Sequence, residues 1–297
     1  MSDETTVARA IEHVDVLVVG AGISGIAAAY ALNRGPMRSF AVIDAMDGHG
    51  GTWRLHRYPG VRSDSDLFTY GFHFKPWGGA PIASGDQILD YLGEAIEENG
   101  LASHIRYNTR MKSADWDSRR KLWRIKGKRG SHGEPFEMTC GFLWMCQGYY
   151  RHDQGFTPDW PGMSDFKGRI VHPQTWPDDL DLSGKRIVVI GSGATAVTLV
   201  PALAGACAHV TMLQRSPTYF DVRENRDDLA DTLRALEIEP AIVHDILRKK
   251  ITHDQHAYFR RLARHPETAK RELLRQLEKW LPKAEIARHF TPAYLPW

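Results

Sequence analysis

A chain of 297 residues, 42% hydrophobic and 25% charged, has room for two domains with sizeable cores and the composition of a globular protein. Its formal net charge of +2, with basic residues scattered through the last quarter, is too mild to imply nucleic acid or a charged membrane surface. Cys140, Cys146 and Cys207 form neither a Cys-x-x-Cys pair nor a zinc spacing, which excludes a redox dithiol motif and fits a reducing cytoplasm.

The opening stretch, Met1 to Glu12, is polar and carries no signal-peptide pattern. The longest apolar runs are strand-sized, far short of the roughly 20 residues of a membrane helix, so a soluble, cytoplasmic protein without a membrane span is expected. Val14 to Val19 is a nearly continuous β-branched run, the pattern of a strand buried on both faces of a parallel sheet. Gly20-Ala21-Gly22-Ile23-Ser24-Gly25 follows at once, then an alanine-rich helix from Ile26 to Leu32, then a second strand from Ser39 to Ile43 that ends in Asp44. That order is a βαβ unit. A polar, glycine-rich loop runs from Asp47 through Asp66. Ile88, Leu89, Leu92 and Ile96 give Gln87 to Glu98 helical spacing. Strands are expected around His104 to Tyr107 and Leu122 to Ile125, and Phe142 to Cys146 reads as another buried strand.

After a linker rich in Pro and Asp, from Asp153 to Pro161, the opening pattern returns. Arg186 to Ile190 predicts a strand, Gly191-Ser192-Gly193-Ala194-Thr195-Ala196 a glycine turn, Val197 to Leu203 a helix, and His209 to Leu213 a second strand leading into Gln214 and Arg215. Gly20 to Asp44 and Gly191 to Arg215 share one offset, 24 positions. Two matched βαβ units suggest two nucleotide sites. From Asp221 to His289 the chain turns charged and helical, with Leu229, Leu233 and Leu236 on one face, Leu273, Leu274, Leu277 and Leu281 on another, and breaks at Pro240, Pro266 and Pro282. This stretch reads as a helical subdomain packed beside a nucleotide domain.

Each glycine of the first turn has a physical task. Gly20 permits the tight turn, Gly22 lets the backbone approach a pyrophosphate, and Gly25 lets helix and strand pack closely. The helix N-terminus offers unpaired N–H groups and a partial positive charge to phosphates. Asp44 can accept hydrogen bonds from both ribose hydroxyls. In the second turn Ala196 stands for the third glycine, and Arg215 stands where the first unit has its acid. An acid would repel a 2′-phosphate, whereas a guanidinium grips it bidentately. The first site therefore favours FAD or NAD and the second NADP; the alternative is a plain surface role for Arg215. Two such sites imply electrons passing from NADPH to a flavin, and without a cysteine pair to receive them oxygen is the natural acceptor.

The run Phe166-Lys167-Gly168-Arg169-Ile170-Val171-His172-Pro173-Gln174-Thr175-Trp176-Pro177 matches the fingerprint Phe-x-Gly-x-x-x-His-x-x-x-Trp-Pro at every fixed position, and it lies between the two nucleotide motifs. By these residues the chain resembles the Baeyer–Villiger monooxygenases. Gly50-Gly51-Thr52-Trp53 and Tyr58-Pro59-Gly60-Val61-Arg62-Ser63-Asp64 are similar to that family's flavin-contacting segments, and the stretches Ile190 to Leu203 and Thr211 to Tyr219 resemble its ethionamide-activating branch. The resemblance runs from about residue 14 to the end. It implies that Gly20, Gly22, Ser24, Gly25, Asp44, Gly51, Thr52, Trp53 and Met111 hold FAD. It implies that Gly191, Ser192, Gly193, Ala194, Thr195, Ala196, Arg215 and Ser216 hold NADPH. Asp64 would lie beside flavin and nicotinamide, and His172 and Trp176 would work at a hinge between the nucleotide domains, with direct proton transfer by His172 the lesser alternative. The implied chemistry is hydride transfer, oxygen capture as a C4a-peroxyflavin, and attack on a ketone or oxygen transfer to a sulfur compound. An N- or S-oxygenating flavin monooxygenase is the rival enzyme.

The expected fold is α/β, with two Rossmann-like domains, for FAD and NADP, and a helical subdomain. The expected division is 1–150 for FAD, 151–184 for the linker with the fingerprint, 185–220 for NADP and 221–297 for the helices. Members of the resembled family continue past the point where this chain stops, so both nucleotide domains are expected to be C-terminally incomplete. The options are a truncated enzyme, half of a split enzyme that assembles with a C-terminal partner chain, or a nucleotide-binding remnant; an exposed apolar patch would favour the first two. No metal site is expected, because His253 and His256 stand at i, i+3 without further ligands. His49 and His56 read as solvent-facing loop residues. For Trp53, Tyr58, Phe68, Tyr70, Phe72, Phe74 and Trp77, an apolar wall and packing under the loop are both open.

Overall fold

The computed structural model describes residues 11–36 and 38–296, so most of the polar opening stretch and Trp297 lie outside the described residues. In chain order the elements are β1 (Glu12–Val19), α1 (Ile23–Arg34), β2 (Phe40–Ile43), α2 (Thr52–Leu55), α3 (Leu67–Tyr70), α4 (Gly85–Glu98), β3 (Ile105–Arg106), β4 (Thr109–Asp117), β5 (Leu122–Arg129) and β6 (Glu134–Met145). They continue with β7 (Arg186–Ile190), α5 (Ala194–Ala204), β8 (His209–Leu213), α6 (Asp228–Ala235), α7 (Pro240–Arg264), α8 (Pro266–Leu277) and α9 (Lys283–His289). The fold is α/β, as the sequence predicts. By contacts the chain forms two compact units, Met1–Arg57 with Gly85–Thr175, and Tyr58–Ser84 with Trp176–Trp297. Each unit is discontinuous in sequence, whereas the expected division is into consecutive segments.

The first unit is built on a six-stranded sheet of order β3-β2-β1-β6-β5-β4. β1 pairs in parallel with β2 and β6, and β2 with β3; β4, β5 and β6 form an antiparallel meander. Leu17, Val18, Ala41, Val42 and Ile43 are almost fully buried, as a central parallel strand pair requires. α4 buries Ile88, Tyr91, Leu92, Ala95 and Ile96, one helical face; each large aliphatic side chain there contributes about 2 kcal/mol. β4 is absent from the sequence reading. Its residues, Thr-Arg-Met-Lys-Ser-Ala-Asp-Trp-Asp, pair with β5 through a bulge between Met111 and Ser113, and only Thr109 is buried. β6 corrects a second expectation. The strand begins at Glu134, and its end is not buried: Phe142, Trp144 and Met145 are 57%, 40% and 44% exposed. β5 pairs with β6 only as far as Cys140, so beyond it one side of β6 is left open.

In the second unit β7 and β8 make a two-stranded parallel sheet. Ile187, Val189 and Val210 pack on one face against Leu199 and Leu203 of α5, with Tyr58, Val61, Trp176 and Leu182. The other face carries Val188, Ile190 and Leu213, each more than half exposed. A separate cluster joins Phe68 to Ala230 of α6 and Val243 and Leu247 of α7, with Trp77, Leu229, Leu233 and Ile251 around it. Phe68 is therefore a core residue beneath its loop, the partly buried Trp77 packs against it, and Tyr58 belongs to the α5 cluster. Arg248 fastens α7 to the end of α3 by donating from Nη1 to the carbonyls of Phe68, Thr69 and Gly71 at 2.7, 3.2 and 3.0 Å. Pro240 and Pro266 open α7 and α8, where a missing N–H costs nothing, and Pro282 caps α9. Leu236 departs from expectation: it lies just past α6 and is 66% exposed.

Candidate functional site

The two glycine turns share a backbone conformation and two hydrogen bonds. Gly20 has φ +111° and Gly191 φ +123°. The Gly20 amide donates to Ile43 O and the Gly191 amide to Leu213 O, both at 2.8 Å, so each turn is tied to the last residue of its neighbouring strand. Gly22 and Gly193 cap α1 and α5 in nearly the same extended conformation, and no side chain caps either helix. Ile26 and Val197 close the first turns by donating to Gly22 O and Gly193 O. Two helix N-termini are thus left with free N–H groups, the feature that binds phosphate.

Built Cβ atoms separate the glycines by task. At Gly25 a Cβ would stand 1.8 Å from Gly20 O, and at Gly20 it would stand 2.3 Å from Cys146 O; both are packing constraints of the fold. At Gly22 the nearest atom is Gly51 Cα, at an ordinary 3.6 Å. The chain itself does not require glycine at 22. Gly51, at φ +53°, faces Gly22 across a cleft that a Cβ on either residue would begin to fill. The Gly50 amide donates to Ala21 O at 3.0 Å and fixes this approach. Such a bare-backbone cradle at a helix N-terminus fits a pyrophosphate.

Asp44 is 5% exposed and sits beside the cradle. Its Oδ2 accepts the Ala21 amide at 2.6 Å and its Oδ1 the Met46 amide at 2.8 Å, so backbone dipoles hold the carboxylate in place. Hydrogen-bond register places Asp44 immediately after the residue that ties the first turn. The residue in that place in the second unit is Gln214, not Arg215, because the second crossover is one residue shorter; the equal offset in the sequence conceals this. Gln214 donates from Nε2 to His289 O at 2.7 Å, and its buried Oε1 has no partner among the described residues. Arg215 and Ser216 follow, both exposed, and Arg215 has no ion-pair partner among the described residues. The strand end thus carries a neutral amide followed by an exposed guanidinium where the first unit has a carboxylate.

The remaining predicted residues are placed as follows. Thr52 is the exposed first residue of α2, and Trp53 beside it is half-buried. Ser24 and Gly25 lie in the first turn of α1; Ser192 precedes the cap of α5, and Ala194, Thr195 and Ala196 form its first turn. Met111 lies on β4 and packs against the sheet core. Asp64 belongs to the second unit, is exposed, and accepts from Ser65 Oγ at 3.3 Å. The fingerprint is divided: His172 belongs to the first unit and Trp176 to the second. His172 Nδ1 accepts the Gln174 amide at 3.1 Å, and its ring covers Gly155 so closely that no Cβ fits there. Trp176 packs in the α5 cluster.

His49 and His56 are both half-buried, which corrects the expectation of solvent-facing residues. His49 Nε2 lies 3.1 Å from Leu89 O, and His56 donates from Nδ1 to Thr52 O and meets the Tyr150 ring edge-on at 4.8 Å. Burial lowers the His56 pKa below the usual histidine value, assisted by nearby His172 and opposed by the Thr52 carbonyl. The three cysteines are free thiols, and burial raises that of Cys140 to about 11. Among the described residues no three His, Cys, Asp or Glu gather as metal ligands, and no helix is long and apolar enough to cross a membrane.

The pyridine nucleotide-disulphide oxidoreductase family matches residues 14–240. The FAD-containing monooxygenase EthA of Mycolicibacterium smegmatis is 46% identical over 290 residues, which are 96% of this chain and 58% of that protein. An oxidized steroid monooxygenase bound to NADP is 31% identical, with a TM-score of 0.63 over 75% of this chain and 43% of that one. Cyclohexanone monooxygenase from Rhodococcus sp. Phi1, bound to NADP+, is 25% identical, with a TM-score of 0.72 over 96% and 60%. The chain spans about 58% of the length of the curated relative it matches. With its two repeated glycine turns and the fingerprint between them, the chain belongs to the pyridine nucleotide-disulphide oxidoreductase family.

Proposed function

We propose that this chain carries the FAD and NADPH sites of a monooxygenase that oxygenates ketones, to esters or lactones, or sulfides and thiocarbonyl compounds. The observation that carries the reading is the contrast between the strand ends beside two matched turns: a buried carboxylate, Asp44, at the first, and Gln214 with unpaired Arg215 at the second. Gly20, Gly22, Ser24, Gly25, Asp44, Gly51, Thr52, Trp53 and Met111 would hold FAD. Gly191, Ser192, Gly193, Ala194, Thr195, Ala196, Arg215 and Ser216 would hold NADPH. When bound, FAD supplies hydride acceptance and oxygen activation. The cradle of Gly22 and Gly51 fits its pyrophosphate without side-chain interference, and Asp44, already fixed by two amides, has acceptor capacity left for a ribose hydroxyl. Asp64 would orient the carboxamide of the nicotinamide. A family built around disulphide reduction needs a redox dithiol, and Cys140, Cys146 and Cys207 offer none, which supports oxygen as the acceptor.

His172 would act as a positioning residue. Its Nδ1 is engaged by the Gln174 amide within the turn that precedes Trp176, a use that favours a hinge over general-base work. The visible spectrum of the purified chain with added FAD, followed by anaerobic NADPH, tests the reading. Flavin uptake and bleaching are expected, and a chain that takes up neither cofactor would refute it. Ketone-dependent NADPH oxidation distinguishes this activity from that of an N- or S-oxygenating flavin monooxygenase. A second reading is favoured by the apolar outer face of β7 and β8: the site is completed by a further, complementary segment that covers Val188, Ile190 and Leu213, and supplies what turnover needs. Under that reading both cofactors bind but substrate-dependent turnover is absent until the segment is added.

A further inference from the structure

The loop that leaves β8 carries Arg215 and Ser216, and a second piece of chain is laid along it. Gln214 Nε2 donates to His289 O at 2.7 Å. Tyr219 donates from its hydroxyl to Tyr294 O, and Tyr294 returns a hydrogen bond from its hydroxyl to Thr218 Oγ1 at 3.2 Å. The two tyrosine rings meet edge-on with centroids 5.5 Å apart, and Phe220 and Phe290 repeat that geometry at 5.5 Å. The far side of this strap is itself held. Lys270 of α8 donates to Pro292 O at 2.7 Å, and Thr291 donates to Ile286 O of α9 at 2.9 Å. Segment 289–294 is thus fixed to α8 and α9 on one side and grips 214–220 on the other, at Gln214 before Arg215 and at Thr218 to Phe220 after it.

We propose that residues 289–294 form a clasp that sets the position of Arg215, and that Tyr294, Tyr219 and Phe290 are positioning residues for selection of a 2′-phosphorylated dinucleotide. The proposal rests on the reading of Arg215 as the phosphate anchor. Arg215 is exposed, and nothing among the described residues pairs with it, so its own contacts do not fix it. A guanidinium on a mobile loop loses much of its binding energy to ordering that loop; one on a clasped loop is pre-organised. The edge-to-face aromatic pairs and the reciprocal tyrosine hydrogen bonds supply that order. The effect should fall on NADPH and spare NADH, because only the former engages the clasped cation.

Two measurements on the full chain test this, using Tyr294→Ala, which removes the clasp's ring, and Tyr294→Phe, which keeps the ring and loses only the bond to Thr218. Tyr294 is half exposed, so neither substitution opens a core cavity. Hydrogen exchange of the nucleotide-free chain should quicken for the amides between Arg215 and Phe220 in Tyr294→Ala, with an intermediate effect in Tyr294→Phe. NADPH affinity should fall about tenfold in Tyr294→Ala while NADH affinity changes less than twofold. Unchanged exchange would overturn the clasp. Faster exchange with equal losses for both dinucleotides would overturn its role in selection. A parent chain that binds NADPH and NADH equally would instead refute the Arg215 anchor and with it the selective role, leaving exchange to decide the clasp alone.

Discussion

Glycines that look equivalent in the sequence differ in what forbids a side chain. At Gly25 the obstacle is a backbone oxygen that cannot move aside, so Gly25→Ala should cost at least about 3 kcal/mol and lower the melting temperature whether or not cofactor is present. At Gly22 the chain presents no such obstacle, only the facing Gly51. Gly22→Ala should therefore keep its stability to within about 0.5 kcal/mol while losing FAD, because the new methyl occupies the cradle. A melting curve and the flavin absorbance of the purified variants check both statements; a Gly22→Ala protein that retains full flavin would refute the cradle. Arg215 makes the complementary case. Its substitution by alanine should leave FAD uptake intact and weaken NADPH at least tenfold more than NADH, measured by titrating each dinucleotide. The places of Gly22, Gly25 and Arg215 in the fold were legible in the sequence because each lies a short distance from a strand end. Gln214 was missed because the offset was counted from the glycine, and only the bond from Gly191 to Leu213 reveals the shorter crossover.

At the scale of elements, the strands and helices with a clear period were legible: β1, α1, β7, α5, β8 and the amphipathic α4. β4 was not, since its polar outer residues and its bulge leave no alternation to see. Nor did the sequence reveal that segment 58–84 leaves the first unit to pack with α6 and α7, because its aromatic residues fit a ligand wall and a core equally well until their partners are known. The junction of α3 and α7 yields a pH prediction. His244 is 4% exposed and its Nε2 donates to Phe72 O at 3.1 Å. Burial, and then the neighbouring Arg248 cation, lower its pKa, against the Phe72 hydrogen bond. The folded state thus holds this proton less tightly than the unfolded state does. Stability should be full above the unfolded value of about 6.5 and fall as the pH drops below it toward the depressed folded value. Urea midpoints between pH 7.5 and 5.5 should decline in the parent and decline less in His244→Gln, whose amide can keep the bond to Phe72; parallel declines would assign the pH dependence to other groups. Arg248→Ala should cost about 2 kcal/mol at neutral pH by stranding three carbonyls.

For the molecule as a whole, the two units do not finish their sheets equally. The first has six strands with helices against them; the second has two parallel strands, covered on one face by α5. Parallel sheets ordinarily bury both faces, and a two-stranded sheet is marginal without cover. Val188, Ile190 and Leu213, aligned on the uncovered face, are therefore the residues expected to seek another surface. An exposed apolar patch was foreseen from the expected incompleteness of the nucleotide domains, but its place was not, because in the sequence β7 and β8 look like any buried pair. If the face is a docking surface, the chain should bind an apolar dye such as anilinonaphthalene sulfonate and self-associate at high concentration. A Val188→Thr/Ile190→Thr double variant should lose most of that dye binding, keep its β-branched strand propensity, and leave the melting temperature within a few degrees of the parent, because exposed side chains contribute little to the fold. The same variant should still bind NADPH, since both side chains lie on the sheet face away from α5 and the glycine turn keeps its own residues. Unchanged dye binding would move the docking surface elsewhere, with exposed Phe142, Trp144 and Met145 on β6 the next candidates to test by the same substitution.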